Sequence, residues 1–232
     1  MLKIAMVAAL EREIAGLLRN TKRVEREHDG RNYTFFEREE TVMLCGGIGV
    51  EAARRAAEAV LSIYKPVLIQ SVGFAGALQS NMRVGDILSP AILIDARDGS
   101  RTEITDGNGT LLTFMSVADA KQKSHLAQSY GAQAVDMEAA GVAVAAQAHG
   151  VAFRAVKVIS DDMNFEMPDM THFVDAQGRF HTISFIAHAA LRPWLWPAIA
   201  TLAGNSKKAA TALESYLREH QPTSKMTEAK TV

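Results

Sequence analysis

The segment from residue 134 to residue 161 reads AVDMEAAGVAVAAQAHGVAFRAVKVISD and contains three structural units in succession. A short apolar run that ends at Val135 leads to a helix of small residues over 138–148, and a run rich in β-branched residues follows over 152–159. Buried strands that alternate with helices are typical of α/β proteins. The segment therefore predicts an α/β fold.

Carboxylate side chains stand at two junctions of this segment, where a strand ends or a helix begins. Asp136 and Glu138 lie at the start of the helix, and Asp161 follows Ser160 at the end of the second strand. Such junctions collect ligand groups in α/β proteins, so one bound molecule could be held at one end and protonated at the other. A simpler interpretation is also open. Acidic residues in a first helical turn gain roughly 0.3–1 kcal/mol from the helix dipole, and Ser160-Asp161-Asp162 could form a turn or a helix cap.

The rest of the chain continues the alternation of strands and helices. Apolar strands are predicted over 2–8, 31–37, 40–45, 66–72, 84–95 and 111–117, and helices over 11–19, 50–63 and 118–129. Near-continuous apolar strands between amphipathic helices favour a sheet that is covered on both faces. We therefore expect a three-layer αβα sandwich around a central, twisted, mixed and largely parallel sheet.

One domain is expected over residues 1–218, because 232 residues with 48% apolar content suffice for a single hydrophobic core. Within it, the polar stretch 162–180, with its interspersed methionines and phenylalanines, is a candidate lid. Residues 181–218 are predicted to form C-terminal helices, interrupted by the proline- and tryptophan-rich segment Pro193–Pro197. The polar residues 219–232 are predicted to be a disordered tail.

Composition and charge exclude several function classes. A net charge of −1 gives no electrostatic footprint for nucleic acid, and a single cysteine, Cys45, excludes an intramolecular disulfide and a cysteine-built metal site. The seven histidines show no metal-ligand spacing. A lone thiol fits a reducing compartment, and the apolar start of the chain is better interpreted as a buried strand than as a signal peptide. We therefore expect a cytoplasmic protein.

Two glycine-rich stretches follow predicted strands. Gly46-Gly47-Ile48-Gly49 opens a helix, where bare backbone N–H groups can face an anion or a ribose. Gly73-Phe74-Ala75-Gly76 could admit a ligand close to the backbone. A tight turn and close packing are the simpler interpretations. The first stretch also lacks the acidic residue of a dinucleotide fingerprint at the end of the next strand, which disfavours an oxidoreductase.

Taken in order along the chain, these motifs resemble the purine nucleoside phosphorylase/uridine phosphorylase superfamily, and most closely its methylthioadenosine/S-adenosylhomocysteine nucleosidase branch. The resemblance covers roughly residues 2–165 and rests on Glu13, Gly47-Ile48-Gly49, Gly73-Phe74-Ala75-Gly76, Val84-Gly85-Asp86-Ile87, Val135–Ala140 and Ile159-Ser160-Asp161. Further along, Asp161–Pro168, Arg179-Phe180 and Leu191–Pro197 resemble the hopanoid-associated phosphorylases. Those relatives are assigned to releasing adenine from adenosylhopane.

The resemblance implies cleavage of the N-glycosidic bond of an adenine nucleoside, with no metal and no organic cofactor. Asp161 would protonate or hydrogen-bond N7 of adenine, which is typically worth about 10²–10⁴ in rate. Glu138 would accept hydrogen bonds from the ribose hydroxyls, and Met137 would pack against the sugar. Glu13, rather than Glu11, would activate the attacking water. The other residues that the resemblance places around the substrate are Ile48, Gly49, Phe74, Ala75, Gly76 and Ser160.

The nucleophile is left open between water and inorganic phosphate as a co-substrate. Phe74 stands where both branches of the family commonly place a serine, and Arg54, Arg83 and Arg97 lie in no recognisable phosphate motif. Glu13 favours water, so we favour hydrolysis of methylthioadenosine, adenosylhomocysteine or an adenosylhopane-like nucleoside. The alternatives are a phosphate-dependent, hopanoid-associated phosphorylase and a catalytically inactive nucleoside-binding protein.

The expected partner is a small nucleoside, and a lipid tail on that nucleoside is an open alternative. Pro193, Trp194, Trp196 and Pro197 could form an apolar platform for such a tail or for peripheral contact with a bilayer. A bent helix packed on the domain, or at a subunit interface, explains these residues equally well. A homo-oligomer, dimer or larger, is implied by the resemblance alone.

Overall fold

The computed structural model describes residues 4–166, 173, 175, 178, 192 and 196–220. These residues form eleven strands and five helices. In chain order they are β1 (Ile4–Ala8), α1 (Glu11–Leu18), β2 (Lys22–His28), β3 (Arg31–Arg38), β4 (Thr41–Cys45), α2 (Val50–Tyr64), β5 (Leu68–Ala77), β6 (Ile87–Leu88), β7 (Ile92–Asp95), β8 (Arg101–Glu103), β9 (Thr110–Thr113), α3 (Ala120–Tyr130), β10 (Ala134–Asp136), α4 (Ala139–Ala148), β11 (Ala152–Asp161) and α5 (Trp196–Glu219). The order β10–α4–β11 is the one predicted from the segment 134–161.

The strands form one mixed sheet whose centre is parallel. Its main path runs β2-β3-β4-β1-β5-β10-β9-β7-β8, and β11 pairs with β5 and β6. Strand β1 lies parallel to both β4 and β5, and β11 lies parallel to β5 along its whole length. Antiparallel pairs occur at the β2–β3–β4 edge and between short strands. Because β1, β5 and β11 are parallel, their carboxyl ends meet at one edge of the sheet.

Helices cover both faces of this sheet, as the alternating burial of β1 illustrates. Ala5 and Val7 join the core that α2 and α4 cover. Met6 and Ala8 join a second core, which contains apolar residues of α1 and α5. The predicted three-layer αβα sandwich with a mixed sheet is therefore confirmed.

Two predicted strands have different bounds in the structure. Strand β5 continues to Ala77 and so contains the stretch Gly73–Gly76, which the sequence analysis placed after the end of the strand. The strand predicted over 84–95 is two strands, β6 and β7. Ser89-Pro90 separates them, because proline has no N–H for a ladder hydrogen bond.

Strands β2 and β8 were not predicted from the sequence. Strand β9 was predicted, but it ends at Thr113 rather than at residue 117. Strand β2 reads KRVEREH and is largely exposed at the edge of the sheet. A charged edge strand lacks the apolar alternation by which strands are recognised, although charges there protect the sheet against edge-to-edge pairing.

Parts of the predicted C-terminal organisation lie outside the described residues. These parts are most of the candidate lid over 162–180, the helix expected over 181–192, and the tail after His220. Helix α5 begins at Trp196, inside the tryptophan–proline segment, and includes Glu219, the first residue of the predicted tail. Among the described residues, no helix combines the length and the apolar character needed to cross a membrane.

Candidate active site

One cavity opens where the parallel strands end. Glu13 lines it from the first turn of α1, Glu138 from the start of α4, and Asp161 from the last position of β11. Each of these residues is buried, with 9% or less of its surface exposed. The fold therefore brings together, around one cavity, the three acids to which the sequence analysis assigned the chemistry.

Glu13 caps its own helix as well as lining the cavity. Its Oε2 accepts hydrogen bonds from the backbone N–H groups of Ala9, at 3.1 Å, and Leu10, at 3.3 Å. Glu13 therefore also has the ordinary role of an acid in a first helical turn, because its carboxylate satisfies donors at the helix N-terminus. Glu11, by contrast, is exposed and does not line the cavity.

A buried lysine on β11, Lys157, lies among the carboxylates. Its Nζ is 2.8 Å from Oδ2 of Asp136, and only 1% of the lysine side chain is exposed. Asp136 also accepts hydrogen bonds from Oγ1 of Thr113, at 2.6 Å, and from the N–H of Ala139, at 2.8 Å. Asp136 therefore stabilises the start of α4 and pairs with Lys157, so it fits a structural role better than a catalytic one.

Glu138 is oriented by backbone donors. The N–H of Gly49 donates to Oε1 at 3.0 Å, and the N–H of Met137 donates to Oε2 at 3.2 Å. Gly49 immediately precedes α2 and is not itself among the residues that line the cavity. Within the glycine-rich stretch 46–49, Gly49 thus acts on the cavity through the Glu138 carboxylate, whereas Ile48 lines the cavity directly.

Burial and the attraction between opposite charges shift the pKa values of this cluster in opposite directions. Burial raises the pKa of Glu138 to about 7, and repulsion from Asp136 and Glu13 adds to the rise while Lys157 opposes it. Burial also raises the pKa of Glu13, again against Lys157. Burial alone would lower the pKa of Lys157, but Asp136 and Glu138 raise it. One buried ammonium therefore compensates three carboxylates, and the fully ionised cluster carries excess negative charge.

Asp161 belongs to a second ion pair. Nζ of Lys123, on α3, donates to Oδ2 of Asp161 and, at 2.7 Å, to the backbone oxygen of Asp162. Oγ of Ser160 donates to the other carboxylate oxygen, Oδ1, at 2.7 Å. Strand β11 continues through Ser160 and Asp161, so the alternative interpretation of these residues as a helix cap is wrong.

The stretch Gly73–Gly76 brings β5 close to two of the acids. A Cβ added to Gly73 would lie 2.8 Å from Oε2 of Glu13, and one added to Gly76 would lie 2.9 Å from Oδ2 of Asp161. Both distances are shorter than ordinary van der Waals contact, so a side chain at either position would displace a carboxylate. The two glycines make room for the acids of the cavity.

Most of the other residues selected from the sequence also line the cavity, namely Ile48, Phe74, Ala75, Gly76, Met137 and Ser160. The three arginines considered for phosphate do not line it. Arg54 pairs with Glu51 on its own helix, and Arg97 pairs with Asp95.

Sequence reasoning missed both lysines. Lys157 did carry a signal, because a lysine within an apolar strand must be buried and then needs a carboxylate partner. Lys123 carried none, since it lies in a polar helix between Gln122 and Ser124, where a solvated side chain is the ordinary expectation.

The loop that precedes α3 also contributes to the cavity. Ser116, Val117 and Ala118 line it, although the sequence analysis assigned none of them a role. Asp119 instead caps α3, accepting a hydrogen bond from the N–H of Gln122 at 2.7 Å.

The arrangement divides the cavity chemically. Glu13 and Glu138 can stabilise a developing cation or accept hydrogen bonds, while Asp161, paired with Lys123, can exchange a proton. Within the part of the chain that the structure describes, no group of three or more histidine, cysteine, aspartate or glutamate side chains is arranged to hold a metal ion.

Comparisons of the sequence with known proteins agree with the motifs. A sequence model of the phosphorylase superfamily matches residues 3–117 and 108–188. The chain is 27% identical to a 5′-methylthioadenosine/S-adenosylhomocysteine nucleosidase from Exiguobacterium, over 71% of this chain and 87% of that protein. It is 32% identical to a protein of the same name from Bacillus licheniformis, over 38% of this chain and 39% of that one.

Solved structures share the fold at lower sequence identity. An S-adenosylhomocysteine nucleosidase from Streptococcus pyogenes, in complex with 5-methylthiotubericidin, gives a TM-score of 0.67 at 20% identity, with 96% of this chain and 98% of that chain covered. A futalosine hydrolase from Helicobacter pylori gives 0.66 at 19% identity, with 94% and 98% covered.

Proposed function

This chain belongs to the phosphorylase superfamily, and we propose that it hydrolyses the N-glycosidic bond of an adenine nucleoside, releasing adenine. The observation that carries the proposal is the convergence of Glu13, Glu138 and Asp161 on one cavity. Cleavage of this bond makes the sugar cationic and the base anionic, so it needs a proton donor at one end and carboxylates at the other. The cavity holds both.

Asp161 acts on the leaving base in this proposal. Ser160 and Lys123 each hold one of its carboxylate oxygens, so the side chain has a fixed direction. Proton transfer to N7 of adenine converts a poor leaving group into a neutral one, and general acid catalysis of this kind contributes about 10²–10⁴ in rate.

Glu138 and Glu13 act on the sugar and the water. Glu138, with both oxygens held by backbone N–H groups, accepts hydrogen bonds from the ribose hydroxyls and places negative charge near the developing cation. Glu13 accepts a proton from the attacking water. Burial raises the pKa of Glu13, which makes its carboxylate a stronger base than an exposed glutamate.

The charges around the cavity favour water over phosphate as the nucleophile. Four of its lining side chains are carboxylates, those of Glu13, Asp136, Glu138 and Asp161, against two cationic ones, those of Arg12 and Lys123. The lysines of the two ion pairs are each already engaged by a carboxylate. A phosphate dianion would be repelled by such a lining, whereas a water molecule would not. Phe74 places a ring where both branches of the family commonly have a serine, so this position offers phosphate no hydroxyl donor.

The candidate substrates differ in the group at the 5′ carbon of the ribose. Methylthioadenosine and adenosylhomocysteine are favoured by the names of the two curated relatives. An apolar 5′ group also fits the lining contributed by Leu10, Phe74 and Leu202.

A lipid-linked nucleoside, such as an adenosylhopane, is the second candidate, and one feature of α5 favours it. Trp196 is 55% exposed in the first turn of this helix, and Leu202 of the same helix lines the cavity. The two residues are about 9 Å apart along the helix axis, given a rise of about 1.5 Å per residue. Six residues make about 1.7 turns at about 3.6 residues per turn, so an apolar tail that leaves the cavity at Leu202 would cross about a third of the circumference of α5 to reach Trp196. Trp194 lies outside the described residues.

Replacement of both tryptophans by alanine tests this second candidate. A selective loss of turnover on the lipid-linked substrate would support it, whereas equal effects on soluble and lipid-linked substrates would reject it.

We further propose that the protein is a homodimer or larger. Met115 is 69% exposed and Val117 39% exposed in the loop that reaches the cavity, and a second subunit could cover them. Sedimentation equilibrium tests this proposal, and a monomer at micromolar concentration would reject it.

The main experiment measures adenine release from methylthioadenosine, adenosylhomocysteine and adenosylhopane, each with and without phosphate. We expect release from at least one of them without phosphate. Asp161→Asn should lower kcat by about 10²-fold or more, while Asp162→Asn, an exposed neighbour that does not line the cavity, should not. Release only with phosphate would favour the phosphorylase alternative, and binding without release would favour an inactive nucleoside-binding protein.

A further inference from the structure

Lys123 is a buried lysine on a helix that is otherwise mostly exposed. Helix α3 buries only Lys123 and Leu126 among its eleven residues, and Lys123 is 1% exposed. Burial of an ammonium is costly unless it is paired and hydrogen-bonded. Both partners of its Nζ belong to the segment of the general acid: they are the carboxylate of Asp161 and the backbone oxygen of Asp162.

The two side-chain donors to Asp161 differ in chemistry. Ser160 donates to Oδ1 through a hydroxyl, which can orient a carboxylate but holds its proton firmly. Lys123 donates to Oδ2 through an ammonium, which can transfer a proton. Since Lys123 also lines the cavity, its proton lies beside the carboxylate that must protonate the leaving base.

We infer that Lys123 supplies the proton that Asp161 delivers to N7 of the leaving adenine, an inference that rests on the proposed function. The proton moves from Nζ to an oxygen of Asp161 and then to N7, while the C1′–N9 bond breaks and its electron pair stays with the base. Water forms the new C1′–O bond and gives a proton to Glu13. After product release, Glu13 returns its proton to solvent and Lys123 regains one, so protons and charge balance.

Substrate binding makes proton transfer from Lys123 to Asp161 more favourable. Lys123 is 1% exposed and Asp161 4% exposed, so the charged pair is already largely shielded from solvent. A purine ring that fills the cavity also shields the pair on the cavity side, and this further desolvation favours the neutral forms of the two groups over the charged ones. Lys123 thus acts only through Asp161, as a positioning residue that also loads the acid with its proton.

Other charged groups face the cavity and contribute to its response to pH. They are Arg12 and Glu13 on α1 and Asp136 and Glu138 before α4. All of them are present in the wild type and in every Lys123 variant. The difference between two pH profiles therefore isolates the contribution of Lys123.

The test measures kcat and KM for adenine release from about pH 5 to about pH 9 in the wild type, Lys123→Met, Lys123→Arg and the control Lys121→Met. Lys121 is exposed on the same helix. We expect K123M to lower kcat by about 10²-fold at neutral pH, with a smaller effect on KM. Part of this loss should be recovered at acid pH, where Asp161 takes its proton from solvent. K123R should not recover the kcat lost in K123M, because a guanidinium can hold Asp161 but keeps its proton, and K121M should match the wild type.

A second readout is rescue by added amines. Lys123→Ala leaves room for a small primary amine, and ethylamine should restore kcat in proportion to its concentration. Urea unfolding verifies that each variant is folded, and Lys123→Gln replaces K123M if the latter does not fold.

An unchanged kcat in K123M would overturn the inference, as would a loss by the same factor at every pH without rescue by amines. Absence of adenine release by the wild type would instead reject the proposed function, so the two failures are distinguishable.

Discussion

At the scale of single residues, the cavity holds more buried negative charge than buried positive charge. Lys157 pairs with Asp136 and also attracts Glu13 and Glu138. A buried ion pair adds little stability over an apolar pair of the same shape, but removal of one partner leaves an uncompensated buried charge. The stability of the folded protein should therefore depend strongly on Lys157.

Lys157→Met should lower the free energy of unfolding by about 3–5 kcal/mol, because Asp136 would remain buried without its cation. Urea unfolding measures the change. The double variant Lys157→Met/Asp136→Asn should recover part of the loss, since it removes both charges of the pair. A loss below about 1 kcal/mol in K157M would show that the pair is not desolvated as the structure indicates.

Activity and stability should respond to pH in opposite directions through Glu138. Its pKa in the folded protein is about 7, against 4.5 as the ordinary value. Between these values the folded state binds more protons than the unfolded state, so the Glu138 contribution to stability falls as pH rises. The ionised form accepts the ribose hydroxyls, so kcat/KM should rise with pH toward about 7.

Comparison with Glu138→Gln isolates this contribution. From pH 5 to pH 8, the free energy of unfolding of the wild type should fall relative to that of E138Q, by up to about 3 kcal/mol. One pKa unit corresponds to about 1.4 kcal/mol. A constant difference between the two proteins over this range would contradict the raised pKa.

At the scale of elements, β5 determines how closely the acids approach the sheet. Gly76 has ordinary backbone geometry, yet a Cβ there would lie 2.9 Å from Oδ2 of Asp161 and 3.2 Å from Cε of Lys123. Gly73 has the same relation to Glu13 and also a φ of +145°, a conformation that side chains disfavour. At these two positions the strand makes room for the acids because it has no side chain there.

Gly76→Ala should lower kcat at least about tenfold, because the added methyl group displaces the Asp161–Lys123 pair from its productive geometry. Gly204→Ala on α5 is the matched control, since a Cβ at Gly204 meets nothing within 4 Å and alanine favours a helix. Turnover assays on both variants provide the comparison. Equal activities would mean that Asp161 does not need its observed position.

Some helices and strands could be predicted from the sequence and others could not. Helix α4 and strand β11 were predictable, because small and β-branched residues fill long uninterrupted runs. Strand β2 was not, because its stability comes from pairing with β3 rather than from an apolar pattern. Helix α3 was predictable as a helix. The burial of Lys123 was not, because it depends on contact with Asp161 at the end of β11, which the local sequence of α3 does not reveal.

At the scale of the whole molecule, the fold unites residues that are far apart in the chain. Glu138 and Asp161 were noticed in the sequence because they stand at a helix start and a strand end, and Glu13 was selected through the family resemblance. Parallel strands bring such ends to one edge of a sheet. The charge balance of the cavity was not predictable in the same way, since it depends on Lys157 and Lys123, whose partners are distant in sequence.

The central claim is that these three acids surround one adenine nucleoside and that water attacks its sugar. Turnover of methylthioadenosine in oxygen-18 water tests this most directly, with mass spectrometry of the sugar product. We predict one labelled oxygen at C1 of the sugar for every adenine released, whether or not phosphate is present. An unlabelled sugar 1-phosphate, or a bound nucleoside that releases no adenine, would contradict the account.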